Sequence, residues 1–315
     1  MGKAVRQGCP LLVRVTAATI FVIMMAIGAT VRASADGVTA EADFGNSAGT
    51  RHYFVYSPPG DTAGLPLVLW LHGCTDIEGD EPNIRENMGA SMFGRLAREL
   101  GFVFVEPIQP MAANPLGCWN SFDPANQHRD AGEPSILAGI TRTVLAGMHL
   151  DKRRVYVAGH SGGGLMATVL GAAYPDLFAA LDVLCTGAYR GGTDLTGTAA
   201  FAEMGPRARP LPVFMVEDSE DPFSSVPIGR MALNQWLGTD ELALGASDPR
   251  PPAPLSVQHT DPGAGFIHPG TLETYGVGPV QVRILTLDGG DHNLVDDAEG
   301  ALRQSISFAM EYRLP

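Results

Sequence analysis

Arg154-Val-Tyr-Val-Ala-Gly159-His160-Ser161-Gly162-Gly163-Gly164 decides how this 315-residue chain is read. An apolar, β-rich run passes into a G-x-S-x-G turn. Leu165, Met166, Val169, Leu170 and Ala173 follow at helical spacing. Strand, tight turn and helix form the context in which this motif presents a nucleophile. The glycines are there for room, because side chains at Gly159 and Gly163 would collide with neighbours in so sharp a turn. Ser161 is then held exposed at the apex. The helix start behind it offers free N–H groups and the positive end of its dipole to a developing oxyanion. The blander alternative is a Gly-rich helix start capped by a serine. A strand before the turn and a helix after it argue against that.

The same pattern repeats on both sides. Strand candidates lie at 53–56, 67–71, 102–105, 154–158, 181–185, 213–216 and 280–287. Several are continuous Val/Leu/Phe runs without alternation, as expected of strands covered on both faces. Helical stretches at 87–100, 134–148 and 162–173 separate them, and Leu302, Ile306 and Met310 mark another near the end. Alternating β and α predicts a doubly wound, mostly parallel α/β sheet flanked by helices. Residues 36–48 are small and polar and read as a flexible leader to the fold. Residues 237–279, rich in Pro, Gly and Asp, read as an insertion or cap.

Composition removes other classes. Apolar residues are 45% of the chain, enough for a core, and charged residues only 17%. A net charge of −13 argues against nucleic acid as a partner. One long uncharged run, 15–31, follows Lys3, Arg6 and Arg14 and precedes Ala33-Ser34-Ala35. This is the layout of a secretory signal peptide cleaved after Ala35. A mature domain of residues 36–315 would be exported, more acidic than the whole chain, and not stably inserted in a membrane. The competing reading of 15–31 is an uncleaved anchor, at the short end for a span. Cys9 leaves with the leader, so Cys74, Cys118 and Cys185 allow at most one internal bridge.

A serine hydroxyl needs a base. In this fold the order is Ser, then Asp or Glu, then His. Only His292 follows the final strand, in Leu287-Asp-Gly-Gly-Asp-His292. His259 and His268 fall in the Pro/Gly stretch, and His52, His72, His128 and His149 come before Ser161. His160, inside the elbow, stands with Thr75 as a candidate substrate contact and not as the base. The acid belongs to Glu217-Asp218-Ser219-Glu220-Asp221, where four carboxylates compete. Gly162 N–H is one expected oxyanion donor. The other comes from His72-Gly73-Cys74-Thr75, with Cys74 first and Thr75 as the alternative.

Together these stretches resemble the poly(3-hydroxybutyrate) depolymerase-like esterases. These are α/β-hydrolases that include polyester depolymerases and relatives acting on feruloyl or acetyl esters. The resemblance lies in residues 51–58, Leu69-Trp-Leu-His-Gly-Cys74-Thr, Val103-Phe-Val-Glu-Pro107, Cys118-Trp119-Asn-Ser-Phe122, Gly132-Glu-Pro-Ser-Ile136 and the elbow. It implies a Cys74–Cys118 disulfide bracing the oxyanion loop, with Cys185 unpaired. It also implies Asp221 as the acid, aligned with the last position of the family's His-Gly-Thr-x-Asp, although the His and Gly of that pattern are absent here. Its Gly-x-Gly-His turn corresponds to Gly289-Gly290-Asp291-His292. Trp119 either lines the acyl or alcohol pocket or packs beside the bridge.

The expectation is therefore a secreted serine carboxylesterase acting on polyhydroxybutyrate-type or short-chain and feruloyl esters. The mechanism implies no metal or organic cofactor, and the acidic loop at 217–221, which could bind a cation, lacks EF-hand spacing. Without an adsorption domain after its last helix, it favours soluble esters, oligomers or amorphous polymer. The rival readings are a secreted serine peptidase and an inactive binding protein on the same scaffold.

Overall fold

Among the described residues eleven strands, β1 (Thr30–Ser34), β2 (Gly37–Asn46), β3 (Gly49–Ser57), β4 (Leu67–Leu71), β5 (Val103–Pro107), β6 (Val155–His160), β7 (Ala180–Leu184), β8 (Val213–Asp218), β9 (Ser256–Thr260), β10 (Gly270–Val277) and β11 (Val280–Leu287), form one sheet in the order β1-β2-β3-β5-β4-β6-β7-β8-β11-β10-β9. The computed structural model describes residues 30–74, 80–192, 194, 196–263, 265–294 and 297–315. The leader run up to residue 29 and Thr75 lie outside the described residues.

The six central strands are β5 (Val103–Pro107), β4 (Leu67–Leu71), β6 (Val155–His160), β7 (Ala180–Leu184), β8 (Val213–Asp218) and β11 (Val280–Leu287). All five pairings among them are parallel. In the first five the apolar side chains are buried toward both faces of the sheet, which is why these runs show no alternation, whereas β11 alternates, with Gln281, Arg283 and Thr286 half-buried. On one face pack α3 (Gly132–Met148), α4 (Gly162–Ala173), α5 (Thr198–Met204) and α6 (Val226–Ala243). On the other lie α1 (Glu81–Asn87), α2 (Met92–Leu100) and α7 (Ala298–Ala309). The chain has the α/β-hydrolase fold expected, with antiparallel strands added at both edges of the parallel centre.

Those edges correct two expectations. Residues 36–48 are no loose leader. Gly37–Asn46 is strand β2, paired antiparallel with β3 (Gly49–Ser57) and with β1 (Thr30–Ser34). Its small and polar residues hide the strand because only its first four positions are buried. Residues 237–279 are likewise no cap. They supply the last turns of α6, then β9 (Ser256–Thr260) and β10 (Gly270–Val277), which continue the sheet beyond β11. β9 lies at the edge with its middle residues exposed, so its sequence carries no apolar period. The helix expected at 87–100 begins only at Met92, since α1 ends at Asn87 and residues 88–91 are not helical. Ser91 precedes it, its hydroxyl accepting from Gly94 N–H at 3.1 Å to cap α2.

Candidate active site

Parallel strands deliver their C-terminal ends to one edge of the sheet, and ligands of such sheets bind there. β6 ends at His160 and runs straight into Ser161. Ser161 holds φ 53° and ψ −120°, a backbone conformation rare for a residue with a side chain. Close packing forces it. A Cβ at Gly163 would lie 2.1 Å from the Leu71 carbonyl oxygen, and one at Gly159 would lie 2.4 Å from that of Gly163. The elbow is pinned to its neighbours as well. Ser161 N–H donates to the Leu184 carbonyl at 2.9 Å, and the Thr186 hydroxyl donates to the Ser161 carbonyl at 2.8 Å.

The Ser161 hydroxyl donates to His292 Nε2 at 2.8 Å. His292 Nδ1–H donates to Asp221 Oδ2 at 2.7 Å. Asp221 is buried, and its other oxygen accepts from the Phe223 and Ser224 N–H groups at 2.7 and 2.8 Å. The four acidic candidates thus separate by what they touch. Glu217 is buried and takes a bond from the Ser224 hydroxyl, and burial raises its carboxyl well above the usual range. Asp218 accepts from the Cys185 thiol at 3.3 Å, and burial pushes it up to about 7. Glu220 is exposed. Only Asp221 reaches the imidazole.

The acid and histidine loops are laced together. Ser219 N–H donates to the Leu287 carbonyl, Glu220 N–H to that of Gly290, and Gly289 N–H to the Ser219 hydroxyl at 2.8 Å. Ser219 went unnoticed in the sequence because nothing separates it from any loop serine.

Ser161 and His292 open onto a cavity of about 560 Å³. Cys74 and Gly162 line it too, where the two expected N–H donors belong. The Cys74–Cys118 disulfide is present, and its sulfur lies 2.9 Å from where a Cβ on Gly162 would sit. Trp119 lines the cavity and is also packed, 2% exposed, with its indole N–H donating to the His72 carbonyl at 3.2 Å. Trp119 is therefore packed beside the bridge and also borders the cavity. His160 does not line this cavity. Its Nε2–H donates to the His292 carbonyl at 2.6 Å, and burial holds its pKa below the usual value.

The sequence did not single out the aromatic rim. Phe122 and Phe223 line the mouth while remaining 67% and 75% exposed. Phe223 meets His292 edge-on, ring centroids 5.0 Å apart. Its place two residues after the acid was the available signal. Leu165, Ile228 and Met231 complete an apolar wall. Cys185, 1% exposed, reaches the cavity floor from a positive φ of 49°.

The family model described as Esterase PHB depolymerase matches residues 51–230, more than half the chain. The chain belongs to this esterase family. The match takes in the elbow, the acid loop and both disulfide cysteines. Poly(3-hydroxyalkanoate) depolymerase C of Paucimonas lemoignei is 29% identical over 211 residues, 67% of this chain and 49% of the relative. Acetylxylan esterase A of Aspergillus ficuum is 30% identical over 139 residues, 44% of this chain and 43% of the relative. The chain thus spans about half the length of the curated relatives it matches. Among solved structures, an acetyl xylan esterase from Aspergillus awamori superposes with a TM-score of 0.66 at 19% identity. That match covers 86% of this chain and 99% of the other, a likeness of fold.

Proposed function

We propose that this member of the esterase PHB depolymerase family is an exported serine carboxylesterase. The observation that carries the reading is the hydrogen-bonded chain Ser161–His292–Asp221, opening on an apolar cavity. Ser161 attacks the ester carbonyl and gives its proton to His292. Asp221, fixed by two backbone N–H groups, holds the imidazole's orientation and stabilises the imidazolium. The Cys74 and Gly162 N–H groups receive the oxyanion. His292 then protonates the leaving alkoxide, and water repeats the sequence on the acyl-enzyme.

The rim of Phe122 and Phe223 favours an ester with an apolar acyl or alcohol part. A hydroxyalkanoate oligomer or an aryl ester fits this better than an acetyl group on a polar sugar. Export rests on the leader at 1–35. Cleavage after Ala35 would remove β1 and leave β2 as the edge of a mature catalytic domain spanning 36–315. Among the described residues, no helix is long and apolar enough to cross a membrane.

The test is hydrolysis of short-chain aryl esters, feruloyl esters, amorphous polyhydroxybutyrate, acetylated xylan and a peptide by wild type and Ser161→Ala. The expected result is ester turnover by wild type that falls roughly 10⁴-fold or more in the variant. Near-full activity in the variant would remove Ser161 from the mechanism, and preferred peptide cleavage would replace the esterase reading.

A further inference from the structure

We propose that Glu133, remote from the reacting atoms, is a positioning residue that aims the Cys74 N–H at the oxyanion. The inference rests on the esterase reading of this site. Glu133 sits in the first turn of α3, where the helix dipole favours a carboxylate. It is 4% exposed, and its partner Arg51 on β3 is 6% exposed. Such a pair is costly to bury and is held only by full hydrogen bonding.

The carboxylate accepts four bonds. Oε1 takes Arg51 Nη2 at 3.0 Å, Gln109 Nε2 at 2.6 Å and Asn120 Nδ2 at 2.7 Å, and Oε2 takes the Asn120 backbone N–H at 2.8 Å.

From there two polar routes run to the oxyanion loop. In one, Asn120 fixes the backbone beside Trp119, whose indole N–H donates to the His72 carbonyl. In the other, Gln109 receives Arg51 Nε on its side-chain oxygen at 2.8 Å and donates Nε2 to the Cys118 carbonyl at 3.0 Å. The Gln109 backbone N–H donates to His72 Nε2 at 3.1 Å, and His72 Nδ1–H donates to the Gly73 carbonyl at 2.7 Å. Both routes end on the residues just before Cys74, and one also holds Cys118, the far end of its disulfide. A carboxylate suits the centre of this web because each of its four partners is a donor. An amide there would turn one N–H₂ face toward donors.

Shifting a supporting group of this kind costs catalysis, not substrate affinity. Loss of such partners typically lowers activity about 10–100-fold. The experiment compares wild type, Glu133→Gln and Gln109→Met, with Ser161→Ala as the control for the esterase reading. Gln109→Met cuts the side-chain links to Glu133, Arg51 and Cys118 without stranding a charge, so it carries the test if Glu133→Gln does not fold. Two readouts are taken on folded protein: ester kinetics with the affinity of a trifluoromethyl ketone, and the backbone amide resonances of Gly73 and Cys74 with the His72 ring nitrogens.

The expected result is a kcat lowered about tenfold or more at similar KM. Affinity for the ketone should fall in proportion, and the loop resonances should move. Unmoved Gly73, Cys74 and His72 resonances would overturn the proposal, as would a lowered melting temperature with kcat intact. If wild type hydrolyses no ester, the esterase reading fails while the resonances still decide whether Glu133 holds the loop.

Discussion

Asp182 stands in the middle of β7, fully buried, and neither carboxyl oxygen has a hydrogen-bond partner among the described residues. Burial raises its pKa well above the usual range. The folded protein therefore keeps a proton that the unfolded chain releases once pH passes the ordinary carboxylate value. Between those two points folding takes up a proton, so this residue's contribution to stability falls as pH rises. Asp182→Asn removes that ionisation. The variant is expected to gain stability over wild type at neutral pH and to lose the gain as pH falls toward 4. Urea unfolding at a series of pH values checks it, and an equal difference at every pH would count against the assignment. At the same scale, the pairing of Ser161 with His292 is legible from chain order and the glycine turn. Asp221 needed the family alignment, because four neighbouring carboxylates look alike until their contacts sort them, and three of the four are buried. Phe122 and Phe223 were illegible as rim residues, since an exposed aromatic in a sequence carries no mark of the cavity it faces.

At the scale of elements, sequence pattern tracked burial. β4 and β11 match the expected spans to the residue, and α4 does too, because their apolar runs are buried throughout or along one face. β2 and β9 escaped notice at edges where few side chains need to be apolar. The split between α1 and α2 also has a local cause. Gly89 and Ala90 bring the chain to Ser91, whose hydroxyl serves the N–H of Gly94 and so starts a new helix. Ser91→Ala is expected to cost about 1 kcal/mol of stability with little change in activity. Chemical denaturation would show it as a lower midpoint at unchanged slope. A midpoint equal to wild type would mean that the cap contributes nothing.

At the scale of the molecule, the disulfide links the loops that follow two adjacent parallel strands, β4 and β5, across 44 residues of sequence. A loop of that size closed in the unfolded chain corresponds to about 4 kcal/mol in the chain-entropy account. Reduction is therefore expected to lower stability by about that amount. It should also weaken the support of Cys74 from one side, leaving the Glu133 web to hold it from the other. Denaturation with and without dithiothreitol measures the first effect. Unchanged midpoints would show that the bridge adds no stability.

Cys185 lies under the candidate active site, 1% exposed, with its thiol against Asp218. Burial first, then the nearby carboxylates, push that thiol well above its ordinary pKa, so the nucleophilic thiolate is scarce in the folded state. In the mature domain proposed above, which lacks Cys9, the other two cysteines, Cys74 and Cys118, are tied to each other. The residue is therefore a built-in clock. Alkylation by a maleimide waits for the C-terminal edge of the sheet to come apart, and its rate times that opening directly. A ligand that fills the cavity above Cys185 should slow the clock. Occupancy of the pocket could then be read without watching any ester break.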